Sequence, residues 1–349
     1  MNIAVLAGGI STERDVSLVS GMGVYKALKG NGHNVILLDV FLGYENVPDK
    51  IEDIFKLDKD WAAEIKSVSK DAPNIAEIKK QRKDQSNVLF GENVLSICKA
   101  ADIVFMALHG DCGENGKIQA TFDLLDIKYT GTDYLSSALA MDKAVTKSIF
   151  IQHNVKTPNG FVLFKSDEER IKDIPELPVV VKVCNGGSSV GVYMVNTEDE
   201  YKSALDKAFK YEDKVLVEQF IKGREFTDCV IDGVALPVVE IAPTEGFYDY
   251  EHKYQAGAAV ETCPANIPDE LTEMIQQEAI KAYDSLGIKT YARMDFMQDE
   301  ATGNIYCLEA NTLPGMTPTS LIPQEAAAYG RSYSELCEWI IKVSLAKYK

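Results

Sequence analysis

Histidine and tryptophan are scarce in this chain of 349 residues, with four and two copies. So few imidazoles leave little from which to build a Ser-His-Asp or Cys-His relay, and no convincing pattern of either kind is present. Cysteine is neither abundant nor ordered. The seven (Cys98, Cys112, Cys184, Cys229, Cys263, Cys307 and Cys337) are odd in number and scattered, without a C-x-x-C pair. That usage speaks against a disulfide framework or a zinc site and fits thiols kept reduced. No apolar run reaches membrane-spanning length, and no basic segment precedes the opening "MNIAVLAGG", so neither an anchor nor a signal peptide is expected. Positive charge is the other shortage. Lys and Arg number 36 against 53 Asp and Glu, a net charge of −17. Nucleic acid and anionic membranes are therefore poor partners, and any polyanionic ligand must be held by a few focused cations. A cytoplasmic α/β protein of two or three domains is expected.

"NIAVLAGG" reads as a buried strand ending at Gly8-Gly9. "STERDVSLVSGMGVYKALKG" reads as a helix, with Thr12 and Asp15 at capping-box spacing and Val16, Val19, Gly23, Val24, Ala27 and Leu28 on its inner face. With "NVILLDV" these make a βαβ unit and a parallel sheet. Residues 49–90 are polar, with helical stretches such as "WAAEIKSV", and read as a solvated excursion. "ADIVFMALHG", the loop "HGDCGENG" and "KIQATFDLLD" repeat the strand–loop–helix step. From about residue 155 the strands crowd together and turn antiparallel: "VVVKV", "KVLVEQF", "TDCVIDG", "ALPVVEI", "ARMDFM" and "NIYCLEA". Helices at about 199–209 and 269–286 interrupt them.

"LPVVVKVCNGGSSVGVYMV" sets Lys182 inside a valine run. Strand alternation puts Val180, Lys182 and Cys184 on one face and Val179, Val181 and Val183 on the other. An ammonium there needs an anion. Gly186-Gly187 and Ser188-Ser189 supply a pliable loop of amides and hydroxyls, which together make a phosphate clasp. A lysine snorkelling from an edge strand into an ordinary turn would leave the same residues. The order of lysine and glycines is not that of a Walker A loop, and no G-x-G-x-x-G follows the strands.

"YARMDFM" places Arg293 and Asp295 on one strand face, and "IYCLEANTLPGMT" places Glu309 and Asn311 on another. The connection "QDEATGN" reads as a hairpin turn that would join the two faces. Oxygen donors without histidine or cysteine suit Mg²⁺ shared with substrate phosphates, whereas on an exposed sheet the same alternation would be routine. "KVLVEQFIKGREF" adds Glu218, Ile221 and Glu225 at a spacing suited to an adenosine, although acids there would ordinarily be solvated.

With these residues in place, the chain resembles the D-alanine–D-alanine ligase family of the ATP-grasp superfamily over essentially its whole length. The resemblance is carried by "GGISTERDVSLVSG", "LHGDCGENGKIQ", "MDK", "VKVCNGGSSVGV", "YDYEHKY", "RMDFM" and "LEANTLPGMTPTSLIP". It implies an ATP-grasp fold preceded by an N-terminal parallel-sheet, Rossmann-like domain. The expected divisions are 1–130 with the first D-alanine site, 131–217 with the phosphate loop, and 218–349 with the lid and metal site.

The same resemblance implies roles residue by residue. Lys143, Lys182 and Lys253, with Ser188 and Ser189, meet the ATP phosphates. Glu218, the backbone at Ile221, and Glu225 hold the adenosine between Val180 and Met297. Asp295, Glu309 and Asn311 bind two Mg²⁺ (or Mn²⁺). Glu13 and His109 serve the first D-alanine, and Ser320 and the Leu321 amide serve the second. Tyr254, Ser188 and Glu13 link a lid at 244–263 to the N-terminal part. Arg293 and the Gly315 amide stabilise an oxyanion. The product would be D-alanyl-D-alanine for peptidoglycan precursors, formed by a homodimer. Val183 departs from the family pattern in a way that should change local stiffness more than chemistry. Leu313 and Thr319 also depart from it near the second-substrate pocket and His252 stands in the lid, which leaves D-serine or D-lactate as the alternative second substrate, although the intact Lys253-Tyr254 pair favours the dipeptide.

Overall fold

The computed structural model describes residues 1–65, 73–187, 190–243 and 259–349. The chain opens with strand β1 (Asn2–Ala7), helix α1 (Arg14–Gly30) and strand β2 (Asn34–Asp39). β3 (Ile103–Met106) pairs with β1 on its other side, giving a parallel sheet of order β2-β1-β3. All three strands are nearly continuous runs of buried aliphatic residues, as parallel strands covered on both faces must be.

Helix α1 departs from expectation in two respects. It begins at Arg14 with Glu13 as N-cap and no side-chain cap bond, so Thr12 and Asp15 form no capping box. Its inner face is also rotated: Val24 and Leu28 are buried as expected, but the rest of the buried stripe is Arg14, Ser17, Ser20, Gly21 and Tyr25. Polar side chains can turn inward there because each finds a partner. Ser17 Oγ donates to Ala107 O (2.6 Å) and accepts from Gly8 N (2.9 Å), and Arg14 reaches Gly9 O and Asp39.

The excursion at 49–90 is less solvated than its composition implies. A 3₁₀ turn at Ile51–Lys56 sends Ile54 and Phe55 into the N-terminal core, and Arg82 stacks over the Phe41 ring at 4.8 Å. The start of "WAAEIKSV" is a turn rather than a helix. Helices α2 (Ile75–Lys80), α3 (Val94–Ala100), α4 (Asp111–Glu114), α5 (Lys117–Leu124), α6 (Tyr134–Met141) and α7 (Lys143–Gln152) complete this part of the chain.

Beyond residue 155 two antiparallel sheets appear. The first contains β4 (Gly160–Phe164), β5 (Val179–Val183), β6 (Val192–Val195) and β7 (Lys214–Gln219) in the order β4-β7-β5-β6. Helices α8 (Glu168–Lys172) and α9 (Glu198–Ala208) accompany it; α9 is started by a Thr197–Glu200 capping box. The second sheet contains β8 (Gly223–Ile231), β9 (Val234–Ala235), β10 (Val239–Pro243), β11 (Ala259–Thr262), β12 (Tyr291–Asp299) and β13 (Ile305–Asn311). "ALPVVEI" therefore supplies two strands rather than one. Pro237 interrupts it, since it has no N–H to give a ladder. Helix α10 (Asp269–Ser285) covers one face, burying Ile275, Ala279, Ala282 and Tyr283. Helices α11 (Leu321–Ala328) and α12 (Tyr333–Ala346) return the chain to the N-terminal core. Among the described residues no helix is long and apolar enough to cross a membrane.

Candidate active site

The two antiparallel sheets face one another across a cleft of about 920 Å³, counting its open mouth. On one wall β5 presents Val180 and Lys182, while Val179, Val181 and Val183 pack into the core with α9. β5 lies between β7 and β6, so Lys182 projects from an interior strand and the edge-strand alternative fails. Antiparallel pairing sets Val180 opposite Glu218, and Lys182 bonds that carboxylate. Glu218 is itself only 2% exposed, against the solvated reading of this acid.

Glu218 has a second cation, which sequence reasoning missed. Lys147, on the inner face of α7, places its ammonium 2.9 Å from Glu218 Oε2 and 3.0 Å from Thr157 Oγ1. It also donates to Pro158 O. Burial alone would raise the Glu218 pKa; Lys182 and Lys147 outweigh it, and the group is held below its ordinary value. The signal was available: Lys147 follows Lys143 by four residues and so shares its helix face.

Lys143 starts α7 from the opposite side of the cleft floor. Its ammonium donates to Gly186 O (2.7 Å) and pairs with Glu309 at 3.2 Å, so it bridges the glycine loop to the second sheet. Burial disfavours its charge, but Glu309 overrides burial and raises its pKa. The stem of the glycine loop is anchored as well: Lys143 N donates to Cys184 O (2.9 Å), and Asn185 N donates to Glu212 Oε1 (2.6 Å). Gly186 has φ +122°, a conformation closed to most side chains.

The facing wall comes from β8, β12 and β13. Ile221, Glu225, Met297 and Leu308 line the cleft with Asp295 and Glu309. The β12–β13 hairpin forms as expected, pairing Arg293 with Asn311 and Asp295 with Glu309, with the register shifting just after Asp295. Asp295 is held from several sides. Arg293 binds it through Nε to Oδ1 and Nη2 to Oδ2, both at 2.8 Å; Thr227 Oγ1 donates to Oδ1 (2.7 Å), and Asn311 Nδ2 to Oδ2 (3.0 Å). Burial opposes the Arg293 charge, but Asp295 more than restores it, so this cation is permanent. Among the described residues no trio of His, Cys, Asp and Glu gathers as a metal centre. The donor set instead needs the amide of Asn311, whose Nδ2 is committed to Asp295 and whose oxygen is thereby left for a cation. Two opposed carboxylates and an amide oxygen fit Mg²⁺.

The remaining expected residues gather where the N-terminal sheet meets this hairpin. The Glu13 carboxylate lies against both glycine loops: a Cβ on Gly110 would stand 2.7 Å from its Oε2, and one on Gly187 3.5 Å away. His109 is buried, and burial lowers its pKa although nearby Glu13 works the other way. Glu114, a second residue that sequence reasoning passed over, is half-buried beside Glu13 and pushed up to about 8, first by desolvation and then by that neighbouring charge. Ser320 caps α11, and the Leu321 amide opens the helix with no intrahelical partner. Ser320 Oγ accepts from Thr317 N (3.0 Å), and a Cβ on Gly315 would lie 2.8 Å from that oxygen. Ser188, Ser189, Lys253, Tyr254 and most of the lid lie outside the described residues; β11 is the lid's described end.

An antiparallel sheet carrying lysines and a glycine loop, closing over a second sheet that carries carboxylates, defines an ATP-grasp enzyme. The family models agree: "D-ala D-ala ligase N-terminus" matches residues 2–132 and "D-ala D-ala ligase C-terminus" matches 151–342. A D-alanine–D-alanine ligase of Pediococcus pentosaceus is 45% identical over 98% of this chain and 97% of its own. One of Lacticaseibacillus casei is 41% identical over 100% and 97%. Among solved structures, the Bacillus anthracis D-alanine–D-alanine ligase complexed with ATP superposes with a TM-score of 0.72 at 29% identity, covering 99% of this chain and 98% of that one. The VanG D-Ala:D-Ser ligase of Enterococcus faecalis gives 0.75 at 28% identity, covering 98% and 99%. The chain belongs to the D-alanine–D-alanine ligase family and is a ligase.

Proposed function

We propose that the protein joins two D-alanines to D-alanyl-D-alanine with conversion of ATP to ADP and phosphate, in the cytoplasm, for peptidoglycan precursor synthesis. The observation that carries this reading is the meeting of Lys143, Lys182 and Glu218 with Asp295 and Glu309 around one cleft.

In this reading Val180 and Met297 sandwich the adenine, and Glu218, the Ile221 backbone and Glu225 take its edge and the ribose. Lys182 and Lys143 exchange their carboxylate partners for phosphate oxygens. Asp295, Glu309 and Asn311 would hold Mg²⁺ or Mn²⁺, which when bound neutralises and orients the phosphates. Glu13 binds the first D-alanine by its ammonium, beside His109, leaving its carboxylate facing the terminal phosphate.

A carboxylate resists attack by an amine until one oxygen becomes a leaving group. The γ-phosphoryl therefore passes to a carboxylate oxygen as the bond to ADP breaks. The second D-alanine, held by its carboxylate at Ser320 and the Leu321 amide, attacks the acyl carbon with its free amine. Arg293 and the Gly315 amide receive the charge of the tetrahedral oxygen; phosphate then leaves and the amine loses its proton. A closing lid keeps water from the acyl phosphate. The family's dimeric assembly is carried over with this reading.

The test is purified protein with ATP, Mg²⁺ and D-alanine, following phosphate and dipeptide together. Equal yields are expected. ATP turnover indifferent to D-alanine, without dipeptide, would refute the reading. The VanG likeness favours a parallel arm with D-serine as acceptor, and a D-lactate arm covers the ester-forming alternative.

A further inference from the structure

The segment that follows β13, residues 313–317, carries the amide assigned to the oxyanion, and the N-terminal part of the chain grips it from several directions. Glu114 accepts from Leu313 N through Oε1 (3.3 Å) and from Gly110 N through Oε2 (2.7 Å). His109 Nδ1 lies 2.9 Å from Leu313 O, and its Nε2 lies 2.9 Å from Ser20 Oγ. Met316 N donates to the same Ser20 Oγ at 3.2 Å.

These contacts fix the protons on His109 and Ser20. A carbonyl oxygen only accepts, so His109 carries hydrogen on Nδ1 and donates it to Leu313 O. In the neutral ring Nε2 must then accept, and its donor is the Ser20 hydroxyl. Ser20 Oγ in turn accepts from Met316 N. The result is a closed circuit in which His109 and Ser20 each donate once and accept once. It clasps the peptides on either side of the Pro314–Gly315 peptide, which carries the Gly315 N–H, while Tyr333 Oη donates to Met316 O (2.6 Å).

We propose that Glu114, with Ser20 and neutral His109, is a positioning clamp that aims the Gly315 amide at the reacting carbonyl, so that the N-terminal domain tunes the chemical step as well as binding the first substrate. The inference rests on the ligase reading above. Loss of a directly contacting oxyanion donor costs about 10²–10³-fold in kcat, and loss of a group that only aims such a donor should cost less, about 10–100-fold. Leu313 N and Gly110 N both need an oxygen, and glutamine offers only one, so Glu114→Gln loosens the clamp without changing size. Ser20→Ala opens the circuit elsewhere and guards against a folding defect at Glu114.

The experiment compares both variants with wild type in dipeptide formation, ATP affinity, and affinity for a phosphinate dipeptide analogue, a tetrahedral mimic. In each variant kcat should fall about 10–100-fold, with phosphinate affinity weakened in proportion and ATP affinity within about twofold of wild type. Full kcat in both variants overturns the clamp, as does phosphinate binding unchanged while kcat falls, or ATP affinity falling in step. A wild-type protein that makes no dipeptide removes the ligase reading itself, which is a separate result.

Discussion

Lys147→Met is the sharpest probe of the cleft's electrostatics. Breaking a buried ion pair usually costs about 3–5 kcal/mol, because the surviving charge is left uncompensated. Here Glu218 keeps Lys182, so the loss should fall below that range, at about 2–3 kcal/mol including the stranded Thr157 hydroxyl and Pro158 carbonyl. In a chain this long that corresponds to about 3–4 °C in Tm. The functional effect follows from who remains. With Lys147 gone, Lys182 is the cation left on Glu218 among the described residues, and it can reach phosphate only by abandoning a buried carboxylate. Even about 1.4 kcal/mol of that penalty is tenfold in affinity, so the ATP KM should rise about tenfold or more at saturating D-alanine. Adding Glu218→Gln removes the charge that needs compensation and should return part of the lost stability, a non-additivity readable in a double-mutant cycle. Steady-state kinetics and thermal unfolding decide it. An ATP KM within about twofold of wild type would show that Lys147 is mere packing.

Lys182→Ala should raise the ATP KM about 10–100-fold, given about 1.5–3 kcal/mol for a charge-assisted contact, partly offset because Lys182 already has Glu218 as partner; unchanged nucleotide binding by calorimetry would discredit the clasp. Gly315→Ala sets a methyl 2.8 Å from Ser320 Oγ and should raise the KM of the second D-alanine far more than that of ATP. Asp228 is buried, and burial lifts its pKa well above the ordinary carboxylate range. Between its ordinary and folded values the native state therefore holds a proton that the unfolded chain has lost, so stability falls as pH rises above about 4; in Asp228→Asn that slope should flatten, as denaturant midpoints across pH would show. Cys184 is buried and pushed up to about 12, so thiol reagents at neutral pH should leave activity intact until the protein unfolds.

Much of the site was legible because its residues sit on strands, where alternation fixes the face. Lys182, Asp295 and Glu309 point where a period of two puts them, and the hairpin between residues 299 and 305 closes as "QDEATGN" implies. What escaped was set by partners distant in sequence. The buried stripe of α1 could not be read from apolar spacing, because Ser17 and Ser20 are satisfied by groups about ninety residues away. Glu114 gave no signal of its own in the loop "HGDCGENG"; the fold brings Leu313 N to it across 199 positions. Ile54 and Phe55 sat in a charged stretch whose composition masked two core anchors.

The cleft lysines are already engaged before any nucleotide arrives. Among the described residues Lys143 is paired with Glu309, Lys147 and Lys182 share Glu218, and Arg293 is paired with Asp295. A phosphate group that meets Lys143 or Lys182 must therefore displace a carboxylate that is already there. A divalent cation carried in with the nucleotide would give the displaced Glu309 a new partner, so the two are expected to enter more readily together than apart.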